Sequence, residues 1–331
     1  MEAGVHVRFV CRPHSAVEAA ARSGGLEVHP IPLWDAGRVT NASRLRRFLE
    51  QHPVDLVDSH GSRDRAAFTW LRLTRRLPVP LIITRRSWPR STRLETWLGG
   101  AVARRVVTLS VPVAAELQRL GVPAEKLTVI PNGVLLDRID RSVTGAEREA
   151  WLARIGGPDL RRTVGVVARP KDQQVVVAAL AFVQTPVRLI LAGLDGAALT
   201  APLPGVPERH VVVRLPFLPD IRPLYDLLEV ALHPSRWDAL PQAVLEAMAL
   251  GKPVLASRAT GHEVLIEHGV DGLLLPPTDP RAWGAALDQL LGDPALAARL
   301  GAAAREHART RFPFTRTVDQ TVALYRTEAG R

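Results

Sequence analysis

The sequence predicts an α/β protein built from two doubly wound domains, each a parallel sheet with helices on both faces. Three observations support this prediction: short β-branched runs alternate with helical stretches, the alternation occurs in two series, and a polar helical segment (TGAEREAWLARIGG) separates the series. Regular alternation of strands and helices is typical of parallel sheets covered on both sides. A length of 331 residues is ample for two such domains.

The first series contains six predicted strands and five predicted helices. The strands are Val5–Cys11, Glu27–Pro30, Val54–Asp58, Leu81–Thr84, Arg105–Leu109 and Leu127–Ile130. The helices are Ser15–Arg22, Ser43–Gln51, Arg65–Arg75, Arg93–Ala103 and Pro112–Leu120.

The second series repeats the pattern after residue 158. Its strands are Thr163–Ala168, Val187–Ala192, Val211–Leu215, Val230–His233, Pro253–Ser257 and Gly272–Leu275, and its helices include Gln173–Phe182, Gln242–Leu250, Ala282–Leu291 and Ala295–Arg309. The strand pattern stops over Asp140–Pro158. We therefore predict domains at 1–140 and 141–311, followed by a C-terminal helix at 312–331 that packs back toward the first domain.

The composition excludes several classes of protein. Hydrophobic residues make up 47% and charged residues 23%, which excludes a disordered, collagenous or disulfide-stapled chain. No apolar run approaches the roughly 20 residues of a membrane helix, and the start of the sequence lacks the pattern of a signal peptide. With a single cysteine, Cys11, we expect a cytoplasmic protein.

Positive charge is concentrated in the first half of the sequence. The formal charge is +10, and residues 1–140 hold 21 basic side chains against 13 acidic ones. Eleven arginines and only two acids lie between Arg63 and Arg105. This patch favours an anionic partner, either phosphates, an acidic membrane surface or nucleic acid. The other interpretation is a general preference for arginine, since the chain has only three lysines.

Polar and cationic residues follow the predicted strands at their carboxyl ends. They are Ser59-His60-Gly61, Arg85-Arg86, Asn132-Gly133, Arg169–Asp172 and Ser235–Asp238. Ligands of open α/β sheets bind beyond these strand ends. Two such domains facing a cleft would therefore offer a site for a phosphorylated ligand.

The densest motif runs from Ser235 to Ser257, SRWDALPQAVLEAMALGKPVLAS. Pro241 suits a helix start and Gly251 a helix stop, and free amides at a helix start bind anions. Asp238 and Glu246 could hold the hydroxyls of a sugar and a ribose, with a phosphate between them. An ordinary capped helix with one buried glutamate would give the same pattern.

This motif resembles the E-x7-E region of glycosyltransferase family 4, the retaining group 1 glycosyltransferases of the GT-B fold. Other segments occur in the order of that family: DLVDSHGS, IITRR, VIPNGV, GVVARPKD, FLPDIRPLYDLLEVALHPS, ATGHEVLIEHGVDGLLLPP and RFPFTRTVDQTVALYR. The resemblance covers nearly the whole chain. It implies two Rossmann-like domains facing a cleft, a nucleotide-sugar as co-substrate, and neither a cofactor nor a metal.

The resemblance also implies roles for individual residues. Arg169 and Lys171 match the pair that grips the donor diphosphate, and Glu246 matches the glutamate that binds the ribose. Asp238 replaces the first glutamate of the family, and Ala239 replaces the usual glycine, so either the choice of donor has changed or the site is weakened. The remaining implied residues are His60 near the reacting sugar, Arg85 and Arg86 toward an acceptor or phosphate, and Asn132, Gly133, Leu218, Ala239, Leu240 and Pro241 around the donor.

One expected part of the first domain is missing from this sequence. Family members open with a strand, a glycine-rich loop and a helix, about 30 residues in all, before the segment that resembles VHVRFVCRPHS. Loss of this central strand should leave sheet edges and a gap.

The implied function is transfer of a sugar to a cell-envelope glycan or lipid-linked acceptor. An anionic membrane surface is a further partner if the stretch TRRSWPRSTRLETWL is more than a solvated helix face. The alternatives are an inactive or truncated binding protein and a GT-B epimerase. No recognition motif supports nucleic acid as a partner.

Overall fold

The computed structural model describes residues 4–33, 37–89, 91–203 and 205–330, which form two compact units. Unit 1 comprises the described residues up to Pro131 and those from Thr317 onward, and unit 2 comprises Asn132–Arg316. The division lies before the predicted boundary at residue 140. The reason is a short helix, Leu136–Asp140, which belongs to unit 2: Ile139 is buried there, and Asp140 pairs with Arg309 at 2.6 Å.

Unit 1 alternates six strands with five helices. In chain order they are β1 (Arg8–Cys11), α1 (Ala16–Ser23), β2 (Glu27–Pro30), α2 (Arg38–Gln51), β3 (Val57–Ser59), α3 (Ser62–Leu73), β4 (Leu81–Arg85), α4 (Arg93–Val102), β5 (Arg105–Thr108), α5 (Val111–Arg119) and β6 (Leu127–Val129). Each helix begins and ends close to its predicted position, apart from α2, which begins five residues before the predicted start at Ser43. A 3-10 turn, Ala124–Lys126, precedes β6.

The strands of unit 1 form two separate parallel sheets. One pairs β1 with β2, and the other has the order β3-β4-β5-β6. Within the described residues, β1 and β3 therefore each form the edge of a sheet.

The end of the chain completes the core of unit 1. Helix α14 (Phe314–Glu328) places Leu324 and Tyr325 against a cluster that contains the buried Ile82 and Val107. Near its last turn, the buried carboxylate of Glu328 accepts hydrogen bonds from Arg104 and Arg105 at 2.8 and 2.7 Å.

Unit 2 has one six-stranded parallel sheet of order β12-β11-β10-β7-β8-β9. Its elements are α6 (Leu136–Asp140), α7 (Gly145–Arg154), β7 (Arg162–Val167), α8 (Gln173–Ala179), β8 (Val187–Leu194), β9 (Val211–Pro216), α9 (Arg222–Leu227), β10 (Val230–His233), α10 (Gln242–Ala249), β11 (Val254–Ser257), α11 (Thr260–Glu263), β12 (Leu273–Leu275), α12 (Pro280–Gly292) and α13 (Pro294–Arg311), with 3-10 turns at Leu180–Phe182 and Gly196–Leu199.

The core of unit 2 lies between this sheet and its helices. Strands β7, β8 and β10 are almost wholly buried, and Trp283 of α12 packs into the same cluster with 1% exposure. Strands buried on both faces form near-continuous apolar runs. That is why the sequence pattern located them so closely.

Candidate functional site

The order of strands in unit 2 reverses between β7 and β10. From β7 the chain builds outward through β8 and β9, and from β10 it builds the other way through β11 and β12. Ligands of doubly wound sheets bind outside the carboxyl ends of the strands at such a reversal. The loops that leave β7 and β10 there contain Arg169, Lys171 and Asp238.

An ion pair joins the two loops. Lys171 Nζ lies 2.6 Å from Asp238 Oδ2, with 36% of the lysine side chain exposed. The buried side chain of Gln173 holds the first loop in shape, because it accepts a hydrogen bond from the Lys171 amide at 2.5 Å and donates one to the Arg169 carbonyl at 2.8 Å. The backbone around Lys171 is therefore fixed while its ammonium group stays accessible.

Arg169 is the second cation of this site. Its side chain is exposed and forms no hydrogen bond or ion pair with any residue that the structure describes. The backbone beside it is tightly packed, since a Cβ on Gly193 would lie 2.8 Å from the carbonyl oxygen of Ala168. Gly193 has a φ of +94°, a conformation that glycine adopts at little cost.

Asp238 is fixed from its other side by helix α11. A Cβ on Gly261 would lie 2.5 Å from the Asp238 carbonyl oxygen, so the two backbones touch. The next residue, His262, is fully buried, and burial lowers its pKa to about 4 even though the charge of Asp238 acts in the opposite direction. His262 is therefore neutral at physiological pH.

A second buried histidine ends strand β10. His233 is 4% exposed, and burial, reinforced by His262 and Lys171, lowers its pKa to about 3. Its Nε2 has no hydrogen-bond partner among the described residues. Sequence reasoning missed both histidines, although His233 ends β10, a strand of the reversal, and His262 lies in α11 after the neighbouring strand β11.

Glu246 lies one turn inside helix α10. Burial raises its pKa, and the opposing effects of Arg138 and of a hydrogen bond with Gln242 do not cancel the rise. The buried Tyr225 faces the same region and donates a hydrogen bond to the Ala243 carbonyl at 3.1 Å. The structure thus places a partly desolvated carboxylate behind the start of α10.

The segment between Asp238 and α10 is packed inward. Ala239 and Leu240 are 3% and 4% exposed, Leu218 is also buried, and Pro241 is half-buried. Pro241 caps α10 and the helix starts one residue later, with no side chain that caps its first amides. Contacts from Ala239 and Leu240 to any ligand would have to come from the backbone.

Asn132 and Gly133 begin unit 2. The Gly133 carbonyl accepts a hydrogen bond from Gln242 at 3.2 Å, which joins this turn to the start of α10. A Cβ on Gly133 would lie 2.5 Å from the Cα of Phe314. Close backbone packing is therefore sufficient to require glycine at this position.

In unit 1, His60 follows strand β3 and contacts the carboxylate of Asp58, whose side chain is 11% exposed. His60 Nε2 lies 3.1 Å from Asp58 Oδ2, which also accepts a hydrogen bond from the Tyr325 hydroxyl at 2.6 Å. Thr84 donates to the same carboxylate at 2.8 Å. Burial alone would raise the pKa of Asp58, but these contacts, His60 foremost, lower it.

Beside His60 lies a cavity of about 460 Å³ with a cationic lining. Arg85 is 7% exposed, donates to Ser91 at 3.1 Å, and makes no ion pair with a described carboxylate. Burial, with Arg65 nearby, lowers its pKa to about 10. The lining also contains Arg38, Arg65, Arg86, Trp70 and Trp88, and a single carboxylate, Glu95, among the described residues. A buried arginine without a carboxylate partner makes this cavity suitable for an anion.

Models of two glycosyltransferase domains match this chain. Residues 1–138 match Glycosyltransferase Family 4, and residues 161–293 match Glycosyl transferases group 1. The chain belongs to glycosyltransferase family 4.

The curated relatives of this chain are also glycosyltransferases. The chain is 33% identical over 248 residues to the D-inositol 3-phosphate glycosyltransferase of Thermobispora bispora, an alignment that covers 69% of this chain and 56% of that protein. The protein of the same name from Nocardiopsis dassonvillei is 32% identical over 248 residues, with 68% and 56% covered. The chain thus spans a little over half the length of the curated relatives it matches.

Solved structures show the same GT-B fold. Anabaena Alr3699/HepE, in complex with UDP and glucose, superposes with a TM-score of 0.84 at 20% identity and covers 97% of this chain and 91% of its own. Sucrose-phosphate synthase from Thermosynechococcus elongatus gives 0.79 at 22% identity, with 98% and 90% covered. A glycosyltransferase from Rickettsia africae gives 0.79 at 17%, with 97% and 89% covered.

Of the residues that the sequence predicts for the donor site of this family 4 glycosyltransferase, the structure brings Lys171 and Asp238 together. It places His60, Arg85 and Arg86 around one cavity of unit 1. Tyr325 and Asp58, which support His60, were missed because they are 267 residues apart in sequence.

Proposed function

We propose that this chain is a retaining glycosyltransferase that moves a sugar from a nucleotide-sugar to an anionic acceptor. The observation that supports the proposal best is the pair of cations, Arg169 and Lys171, in a loop at the strand reversal of unit 2, opposite Asp238. Family membership and the shared GT-B fold support the same activity.

The two cations would bind the diphosphate of the donor. Arg169 is exposed, and the Lys171 ammonium pairs with Asp238 while 36% of its side chain stays exposed, so both can turn toward phosphate oxygens. Negative charge grows on the β-phosphate as the bond from the anomeric carbon to its oxygen breaks. Fixed positive charge at that position stabilises the transition state more than the ground state.

Two carboxylates would orient the rest of the donor. Asp238 would accept hydrogen bonds from sugar hydroxyls. Glu246, whose pKa burial raises, would accept them from the ribose. Leu218 is buried and would contact the nucleobase. In this scheme the donor is a co-substrate, and transfer uses neither a cofactor nor a metal.

The transfer step itself would need no carboxylate base. The acceptor hydroxyl attacks the anomeric carbon from the side that the diphosphate leaves, a new C–O bond replaces the old one, and the departing phosphate takes the hydroxyl proton. His60, oriented by its 3.1 Å contact with Asp58, would hydrogen-bond the reacting sugar.

The cationic cavity of unit 1 would hold the acceptor. Arg85 has no described carboxylate partner, and Arg65 and Arg86 line the same cavity, so a phosphate or another anionic group of the acceptor would neutralise it. The curated relatives carry the name D-inositol 3-phosphate glycosyltransferase, which supports a phosphorylated acceptor for this chain as well. A phosphorylated glycan or lipid-linked intermediate of the cell envelope would fit the same cavity.

The proposed place of action is the inner face of a membrane. None of the described helices has the length and apolar character needed to cross a bilayer. Helix α4 instead exposes Leu94 and Trp97, at 63% and 48%, within the arginine-rich part of unit 1. Apolar side chains beside arginines favour binding to anionic lipid surfaces.

The test is a transfer assay with UDP-, GDP-, ADP- and dTDP-sugars and paired acceptors, inositol phosphate against inositol. We expect one donor to give a product whose anomeric configuration, read by NMR, matches that of the donor. Arg85→Met should raise the KM for the phosphorylated acceptor at least about tenfold and leave the KM for the donor unchanged. Donor binding without transfer to any acceptor would instead support a binding protein.

A further inference from the structure

Two residues of strand β2 and one that follows helix α2 bring metal-binding atoms together in unit 1. Glu27 and His29 lie on strand β2 and His52 follows helix α2, and one ligand atom from each lies within 4.8 Å of the other two. His29 Nε2 is 2.8 Å from Glu27 Oε1. None of the three lines the cationic cavity or belongs to the donor site.

Packing fixes the two imidazoles side by side. The rings of His29 and His52 are 4.6 Å apart between centroids, and Phe48 of α2 lies 4.9 and 4.7 Å from them. Both histidines are half-buried. The ring nitrogens of His52 make no hydrogen bond with any described residue, so a ring held against β2 still has its ligand atoms available.

The carboxylate is also oriented. His6 Nε2 lies 3.0 Å from Glu27 Oε2, so the second oxygen is held while Oε1 faces His29. Contacts of this kind orient the ligands of metal sites. Arg8 approaches Oε1 at 3.2 Å and is anchored separately by the Pro53 carbonyl at 2.7 Å. A metal would therefore displace one arginine contact without releasing Arg8.

We propose that Glu27, His29 and His52 bind a divalent transition-metal ion, with Zn²⁺ as the natural occupant. Two imidazole nitrogens and one carboxylate oxygen form a ligand set that Zn²⁺ accepts at about 2.0–2.2 Å, with water in the fourth position. In such a tetrahedral site neighbouring ligand atoms lie about 3.3 Å apart. The three atoms already lie within 4.8 Å of one another and would close to that spacing around the ion.

The bound ion would join strand β2 to the end of helix α2. These elements belong to the small β1-β2 sheet and the helix that follows it. Because the unfolded chain does not hold the three ligands together, metal binding stabilises the folded state. The site lies apart from the proposed transfer chemistry, which stays independent of metal.

The test uses the untagged full chain, freed of metal with a chelator and titrated with Zn²⁺ against a chromophoric competitor at pH 7.5. We expect one equivalent to bind and the midpoint of thermal unfolding to rise. His29→Asn and His52→Asn should each weaken binding at least about tenfold. His14→Asn is the matched control, because His14 is exposed, lies outside the cluster and has a φ of +56° that asparagine tolerates.

Spectroscopy of the unaltered protein gives a second, independent readout. On addition of Zn²⁺, the imidazole NMR signals of His29 and His52 should shift at one equivalent, with a smaller shift for His6. Co²⁺ added in place of Zn²⁺ should give the visible absorption that is typical of a tetrahedral site. Equal binding by wild type and the His29→Asn/His52→Asn double variant, or unchanged signals for these two rings, would overturn the proposal.

Discussion

Lys171 and Asp238 neutralise each other across 2.6 Å, although the sequence assigns them to different parts of the donor. The lysine would hold the diphosphate and the aspartate a sugar hydroxyl. The donor must therefore open this ion pair, and its two halves should respond to substitution in opposite ways.

Asp238→Asn tests this separation. Loss of the carboxylate frees Lys171, so affinity for the nucleoside diphosphate should stay equal or rise, whereas the transfer rate should fall by about tenfold to a hundredfold. Calorimetry and initial rates measure the two effects. Asp226→Asn is the matched control, because Asp226 forms a similar exposed ion pair with Arg148 at 3.1 Å. Weaker nucleotide binding in Asp238→Asn would contradict the assignment.

Glu246→Gln should make the protein more stable and a poorer binder. Burial raises the pKa of Glu246 above its usual value of 4.5. The unfolding free energy that this shift contributes is therefore fully present below pH 4.5 and is lost as the pH rises through the folded-state pKa of Glu246. The variant's gain in unfolding free energy should be largest at pH 8 and shrink toward pH 4.5. Nucleotide affinity should fall about tenfold. Denaturant unfolding at several pH values, with calorimetry, measures both; a destabilised variant at pH 8 would refute the account.

The sequence located most of these residues but not the groups that tune them. Lys171, Asp238 and Glu246 belong to short motifs, so local spacing was enough to find them. The hydrogen bond of Tyr325 with Asp58, and the electrostatic effect of Asp238 on His262, depend on elements that are not adjacent in the chain. Periodicity carries no information about such contacts.

Among the elements, the turn at Gly133 requires glycine for backbone packing. The sequence motif alone could not distinguish this packing role from a role in ligand binding. Gly133→Ala would place a methyl group 2.5 Å from the Phe314 Cα, a backbone atom that cannot rotate away. We expect a loss of about 2 kcal/mol in unfolding free energy. Gly145→Ala, at the first turn of α7 with open space around it, should cost nothing. Equal stability of the two variants would show that the turn is not constrained by packing.

Helix α4 makes a separate prediction about lipid surfaces. The Leu94→Ser/Trp97→Ser double variant should bind anionic vesicles at least about tenfold more weakly, because two exposed apolar side chains no longer enter the interface. Leu160→Ser, which removes an isolated and 99% exposed leucine from unit 2, is the control. Vesicle sedimentation at two salt concentrations measures both variants. Equal binding by the two would rule out α4 as the contact.

Strands were easier to predict than short helices. Every predicted strand is present, because buried parallel strands leave continuous apolar runs. Helices α6, α9 and α11 are each six residues or fewer, too short for a helical period to show. Helix α9 is stabilised instead by the ion pair of Arg222 with Asp220 and by the hydrogen bond that Arg222 donates to the Arg141 carbonyl.

At the scale of the whole molecule, the positive charge is concentrated in unit 1 and the donor-binding motifs are concentrated in unit 2. The arginine-rich half of the sequence forms most of unit 1, with its cationic cavity, and the donor-binding motifs lie in unit 2. Unit 2 starts at Asn132, before the predicted boundary at residue 140, because the short helix α6 packs with unit 2.

The most direct test of the account is calorimetric titration of UDP, GDP, ADP and dTDP into wild type, Lys171→Met and Arg299→Gln. Arg299 is an exposed arginine of α13 and lies outside the loops that follow β7 and β10. We predict that one nucleotide binds with a stoichiometry of one, at least about tenfold more weakly to Lys171→Met, and unchanged to Arg299→Gln. Folded protein that binds none of the four, or binds one equally well without Lys171, would contradict the proposed donor site.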